Sequence, residues 1–254
     1  MHDFLPGDLV PLMKQTGFEG TVAVQARTIL EETRWLLDLA EHNKFIKGVV
    51  GWVDLCDPEL SHHLEVFSAD PVFCGVRTHI RTDPADADRV GTCFLKGMEV
   101  LGAYDTAFDI LIRPEQLSIA YVLTERFPEQ VFVLDHIANP PINPPIKEGS
   151  IDSWATDIRN LACLPNVYCK VSGMVTRGDH EHWSASDFKP YLDVVFDAFG
   201  VQRLMIGSDW PVCTQAASYQ QTMALVVDAV QSLVPDSQDA VLGGTAARAY
   251  GLNV

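Results

Sequence analysis

Seven short apolar runs rich in Val, Ile and Phe punctuate the chain, at residues 21–25, 48–54, 73–77, 107–111, 131–134, 167–171 and 204–207. Each is followed by a longer segment whose apolar residues recur with helical spacing. An alternation of this kind predicts parallel strands, because a parallel pair needs a long crossover and the crossover helices cover the sheet. Residues 8–17 already read as a helix, with Leu9, Leu12 and Met13 on one face and Pro11 in the first turn, so a helix precedes the first strand. Thr28-Ile29-Leu30-Glu31 has the spacing of a capping box, Pro114 suits the first turn of a helix running to Phe127, and Gly200 stops another.

Seven parallel strands fit either an open doubly wound sheet or an eight-stranded barrel with one strand missing. No strand is followed by GxGxxG, and Gly243-Gly244 precedes no phosphate-type loop, which removes the main signature of the open sheet. The reading is therefore an α/β chain, a (β/α)8 barrel lacking its first strand. Runs 21–25 and 204–207 are then expected to flank an unfilled position. No Gly/Ser linker or charge block divides residues 1–254, which read as a single domain.

Hydrophobic residues make up 47% of the 254, enough for a large core, and 18 Lys+Arg against 34 Asp+Glu give a formal net charge of -16. Such a surface repels phosphate backbones and anionic membranes, so the expected partner is a small molecule, with self-association into a homo-oligomer left open. The segment Met1-His2-Asp3-Phe4-Leu5-Pro6 has neither a basic region nor a long apolar stretch, and no membrane span is expected. Cys56, Cys74, Cys93, Cys163, Cys169 and Cys213 form no CxxC pair and read as reduced core residues of a cytoplasmic protein.

Barrel chemistry sits where strands end, so polar residues there are the candidates. They are Gln25, Asp54, Arg77, His79, Asp135, His136, Lys170, Ser172, Asp209 and Trp210. His136 suits an electrophile, an acid/base or a metal ligand, and Asp209, placed directly after an apolar strand, needs solvent, a partner or a use. Arg77 can grip a carboxylate or hydroxyl, or pair structurally with Asp54. Lys170 points either inward to a partner or outward to solvent, and Trp210 either stacks on a sugar ring or packs. His180-x-His182 sits in a polar loop and reads as a solvated pair.

The segments Val24-Gln25-Ala26, Gly51-Trp52-Val53-Asp54, Gly75-Val76-Arg77, Leu134-Asp135-His136, Lys170-Val171-Ser172-Gly173, Gly207-Ser208-Asp209-Trp210-Pro211 and Ala246-Ala247-Arg248-Ala249-Tyr250-Gly251-Leu252, in this order, resemble the amidohydrolase-related lactonases from about Asp3 onward. The resemblance implies a (β/α)8 barrel that hydrolyses a cyclic ester. It puts Asp209 as the base that activates water and His136 beside it as catalytic residues, with Gln25, Arg77, His79, Lys170 and Trp210 binding substrate. Relatives differ in metal dependence, and the family's His-x-His pair does not appear here. No cofactor is therefore expected, since His136 and Asp209 are two ligands where catalytic metals usually take three. Asn139 stands where many relatives have lysine, and Thr78 separates Arg77 from His79. The alternatives are a metal-dependent barrel decarboxylase and an inactive, truncated barrel.

Overall fold

All seven expected strands pair in parallel and in chain order, in a computed structural model that describes residues 3–83, 85–143, 151–231 and 233–254. Met1 and His2 of the N-terminal reading lie outside the described residues. In sequence the elements are α1 (Pro6–Thr16), β1 (Thr21–Val24), α2 (Leu30–His42), β2 (Ile46–Gly51), α3 (Leu60–Ser68), β3 (Phe73–Arg77), β4 (Thr82–Asp83), β5 (Asp86–Val90), α4 (Thr92–Leu101), β6 (Ala107–Ile110) and α5 (Leu117–Arg126). Then follow β7 (Phe132–Leu134), α6 (Asp152–Ala162), β8 (Val167–Val171), α7 (Ala185–Phe199), β9 (Leu204–Ile206), α8 (Tyr219–Val230), α9 (Pro235–Asp239) and α10 (Thr245–Ala249). The sheet order is β1-β2-β3-β6-β7-β8-β9.

The sheet is curled into a barrel. Val22 and Val24 of β1, Val50 of β2, Cys74 of β3, Ala107 of β6, Val133 of β7, Tyr168 of β8 and Met205 of β9 all belong to one cluster around Tyr250. Side chains from every strand of a sheet meet in one place only when the sheet wraps around them. The opposite faces carry Phe108, Phe132, Cys169 and Val171 into the layer between sheet and helices, where Phe94, Phe108 and Phe132 stack edge to face with centroids 6.0 Å apart. Burying each such ring stabilises the fold by about 1.5–3 kcal/mol. This is the expected (β/α)8-type architecture with one strand missing: β1 and β9 end the sheet order, and neither has an outer partner among the described residues.

One irregularity matters for the site. The β2–β3 register pairs Val49 with Phe73 but Val50 with Gly75, so β3 carries an extra residue at Cys74. In an unbroken strand Phe73 and Arg77 would share a face, and Phe73 packs outward against Phe67 of α3. The bulge reverses that parity and turns Arg77 into the barrel.

Several local expectations need correction. α1 begins at Pro6, which leaves Pro11 inside the helix rather than in its first turn. Thr28 does not cap α2; Ile29 stands at the N-cap, and the Glu32 carboxylate instead accepts from the backbone N–H groups of Ala26 at 3.1 Å and Arg27 at 2.5 Å. The antiparallel pair β4–β5 was not anticipated, because its polar residues show no apolar alternation. Cys56 and Cys93 form a disulfide with Cα atoms 5.2 Å apart, so these two are not reduced core thiols. They lie 37 residues apart and meet where α4 packs on the loop after β2, a proximity that spacing alone does not signal. Of the free cysteines, Cys74, Cys169 and Cys213 are buried as expected, whereas Cys163 is exposed. No helix among the described residues is long and apolar enough to cross a membrane.

Candidate functional site

The inner wall of the barrel mouth is a closed network of charges. Arg77 Nη1 donates to Asp135 Oδ2 at 2.7 Å, its Nε and Nη2 donate to Gln25 Oε1 at 3.3 and 3.0 Å, and Nη2 also bonds the Gln25 carbonyl. Gln25 returns a bond from Nε2 to the Arg77 carbonyl at 3.1 Å. Lys170 lies on the inward face of β8, since Val167, Cys169 and Val171 take the other. Its ammonium donates to Asp109 Oδ2 at 2.5 Å and stands 2.7 Å from Asp135 Oδ1, an ion pair without hydrogen-bond direction. Asp109, inward on β6, accepts from the Tyr250 hydroxyl, which is 2.9 Å from both carboxylate oxygens.

Two cations and two carboxylates balance here, and the balance sets their protonation. Burial pushes Asp109 up to about 6, with Lys170 opposing. Burial acts the same way on Asp135, but Lys170 and Arg77 together outweigh it and hold that carboxyl well below the usual range. Lys170 and Arg77 stay charged because Asp109 and Asp135 more than offset their desolvation.

Beside this wall stand His136 and Asp209, on strained backbone. His136, Ile137, Ala138 and Asn139 have φ of 52°, 49°, 64° and 51°, a left-handed turn that continues β7, and Asp209 has φ of 52°. Left-handed conformation costs roughly 1–2 kcal/mol for an ordinary L-residue, more for a β-branched one such as Ile137. Neighbours hold the turn in place. Trp154 Nε1 donates to the Ile137 carbonyl at 3.0 Å, Asn139 Nδ2 donates to the Ile112 carbonyl at 3.0 Å, and Asn139 Oδ1 accepts from Arg177 at 3.2 and 3.0 Å. Gly173, itself at φ 68°, leaves the room the imidazole needs: a Cβ there would lie 2.8 Å from His136 Cγ and Nδ1.

His136 Nδ1 lies 2.8 Å from Ser172 Oγ, and Nε2 lies 3.7 Å from Asp209 Oδ1. Burial lowers the His136 pKa despite Asp135 and Asp209, so the ring is neutral near neutrality; burial raises that of Asp209, with His136 opposing. Two groups 3.7 Å apart can each reach one shared water. The side chains of Lys170, Arg77, His136 and Asp209 retain 11, 13, 15 and 17% exposure, so all four are largely buried yet keep some contact with solvent.

The structure thus brings together Gln25, Arg77, Asp135, His136, Lys170, Ser172 and Asp209. Asp54 is elsewhere: it pairs with Arg81 at 2.9 Å, which overturns the Arg77–Asp54 alternative. His79 is exposed. Trp210 packs edge to face on Phe4, centroids 5.5 Å apart, in a cluster with Met13 and Tyr219. His182 pairs with Asp179 at 3.6 Å and His180 Nε2 sits 3.1 Å from the Thr176 carbonyl, both exposed. Asp109 and Tyr250 escaped selection as site residues. The signal for Asp109 was a carboxylate within the run Ala107-Phe108-Asp109-Ile110-Leu111, a costly insertion unless it is paired.

Among the described residues, the donor set at the barrel mouth does not fit a resident divalent metal. His136 and Asp209 offer two ligands, while Arg77 and Lys170 occupy the adjoining wall with positive charge. Among the described residues, the one trio of donors close enough to share an ion is Asp38, Glu41 and His42, exposed on α2 and remote from the barrel mouth.

A parallel barrel that gathers a histidine, an aspartate and two cations at the carboxyl ends of its strands has the layout of a barrel-enzyme site. The amidohydrolase family model matches residues 1–252, and the chain belongs to that family. It is 36% identical to an L-fucono-1,5-lactonase of Burkholderia ambifaria and 38% identical to one of Burkholderia multivorans, each alignment covering 99% of this chain and 87% of the relative. Two crystal structures of an amidohydrolase from Burkholderia multivorans, one with bound HEPES and one with bound zinc, superpose with TM-scores of 0.93 and 0.90. Both are 37% identical and cover 99% of this chain and 90% of the other.

Proposed function

We propose that the chain opens a sugar-acid 1,5-lactone of the L-fuconolactone kind, with Asp209 and His136 handling the proton. The observation that carries this reading is the facing pair His136 Nε2 and Asp209 Oδ1, 3.7 Å apart, beside the wall that fixes two cations, Arg77 and Lys170. Asp209 takes a proton from the water held between the pair, and the resulting hydroxide attacks the lactone carbonyl. Charge develops on the carbonyl oxygen, where the neutral His136 ring and the positive field of Arg77 and Lys170 stabilise it. The tetrahedral intermediate collapses by breaking the ring C–O bond, and the leaving alkoxide takes the proton from Asp209. The product is the open hydroxy acid, which ionises in water.

A raised Asp209 pKa makes its carboxylate a better base than a solvated one. Gln25 is tied to Arg77 on both sides, so it orients the guanidinium. The proposed chemistry needs no metal. Lactone opening followed as acid release is the test: turnover well above spontaneous hydrolysis, undiminished after dialysis against EDTA, is expected. Turnover at the spontaneous rate sinks the lactonase reading, and turnover that disappears with the chelator and returns with zinc sinks its metal-free form.

A further inference from the structure

The segment around Tyr250 has no part in the reaction as described, yet it reaches the charge network from inside the barrel through the Tyr250 hydroxyl. Tyr250 directly follows α10 and is fixed by the bond from the Leu252 N–H to the Ala247 carbonyl at 2.9 Å. It clusters with Val50, Cys74, Ala107 and Met205, and from there its hydroxyl meets Asp109 below the mouth. Its Cε1 lies 3.5 Å from where a Cβ on Gly75 would stand.

We propose that Tyr250 is a positioning residue for lactone opening: its hydroxyl holds the Asp109 carboxylate, which in turn fixes the Lys170 ammonium against Asp135 at the wall of the site. The proposal rests on the lactonase reading for its kinetic consequence and on geometry alone for its structural one.

Three observations separate this role from simple filling of space. Asp109 Oδ1 accepts one hydrogen bond, from Tyr250, whereas Oδ2 is shared between Tyr250 and Lys170. Removing the hydroxyl while keeping the ring therefore orphans a fully buried carboxylate oxygen. Asp109 must then take a proton or turn, and either change releases Lys170 from its closest partner. Secondly, the Lys170 ammonium lies 5.6 Å from the centroid of the Tyr250 ring, so one side chain holds the lysine both directly and through its carboxylate. Thirdly, a cavity of about 930 Å³ borders Tyr250 on the side away from the site, lined also by Cys74, Thr106 and Gln130. The ring is packed in the barrel cluster on one side and borders open space on the other, so its hydroxyl bond adds to that packing in fixing its register.

The decisive variant is Tyr250→Phe, with Leu252→Ala as a packing change in the same segment that leaves Asp109 untouched. For Tyr250→Phe, kcat is expected to fall on the order of tenfold with KM within about twofold of the parent, the loss of one bond to a charged group. Leu252→Ala is expected to lower the melting temperature without that kcat loss. A Tyr250→Phe enzyme with parental kcat overturns the proposal, as does an equal kcat loss in Leu252→Ala. A substrate-independent readout is the ¹⁵N–¹H resonance of the Lys170 ammonium, expected to exchange slowly in the unaltered protein and to broaden in Tyr250→Phe. If Tyr250→Phe does not fold, the unaltered protein still decides: a Lys170 ammonium averaging with the surface lysines overturns the proposal. A chain inert toward lactones that nonetheless shows the protected resonance, lost in Tyr250→Phe, discards the lactonase reading and leaves the Tyr250–Asp109–Lys170 linkage standing.

Discussion

The two sides of the barrel mouth are built on opposite terms. On one side, Arg77, Asp135, Lys170 and Asp109 project from strands or their immediate ends, and their closest contacts are 2.5 to 2.7 Å. On the other, His136 and Asp209 stand on left-handed backbone beyond the strand ends, 3.7 Å apart. The first arrangement has every charge answered, and its charges stay where they are. The second leaves a carboxyl group with a raised pKa facing a neutral ring across a gap that a water can bridge. In the proposed mechanism the residues that hold charge stand where the fold is regular, while those that exchange protons stand where it is strained and held by neighbours such as Trp154 and Asn139.

That contrast fails if Asp209 is dispensable. Asp209→Asn keeps the shape but cannot accept a proton, and kcat is expected to fall by about 10³-fold or more with the unfolding midpoint nearly unchanged. Parental turnover on a sugar lactone would remove Asp209 from the mechanism. The opposite signature is expected on the other side. Lys170→Met leaves Asp109 and Asp135 buried and facing each other without their shared cation, a loss of about 3–5 kcal/mol of stability seen as a lower urea midpoint. A midpoint within experimental error of the parent would mean that the network relaxes at little cost.

Gly173→Ala probes the strained side without touching a functional group. A Cβ 2.8 Å from His136 Cγ and Nδ1 must displace the imidazole, and the substituted residue keeps a positive φ. Roughly 1–3 kcal/mol of stability and about tenfold in kcat are expected to go together. A stability loss with unchanged kcat would show that the placement of His136 is not critical.

The gentlest test is pH. In the proposed mechanism Asp209 works ionised, and its pKa is raised by burial, so kcat/KM is expected to decline as pH falls through a value above the ordinary carboxylate pKa of about 3.9. His136 has a pKa lowered by burial, so it stays neutral to a lower pH than a free imidazole. An acid limb at or below that ordinary value would mean that another group limits the rate.

Much of this was legible before any coordinates. The seven strands follow from apolar runs, and His136 and Asp209 follow from their places after two of them, because a polar group at a barrel strand's carboxyl end has few structural duties. The direction of Lys170 was not legible, since both faces of a barrel strand are covered and alternation does not say which face is inside. Asp109 was absorbed into an apolar run, and its bond to Tyr250 spans 141 residues, beyond what local pattern conveys. The Cys56–Cys93 pair was hidden for the same reason. The charge partner of Arg77 was misplaced because Asp54 lies beyond the end of β2 and turns to Arg81.

The extra residue in β3 has a consequence for how this gene can vary. Loss of the codon for Cys74 would remove the bulge together with its extra residue and leave Gly75, Val76 and Arg77 on their present faces. With the bulge in place, loss of one codon between it and Arg77 would carry Arg77 to the helix-facing layer, away from Asp135 and Gln25. The same deletion in the β4–β5 ribbon shortens a peripheral excursion and leaves the phase of every barrel strand intact. Length variation in a lineage of such chains should therefore be absorbed between β3 and α4 or at the bulge, and excluded from the stretch between the bulge and Arg77, where a count of residues decides which way an arginine points.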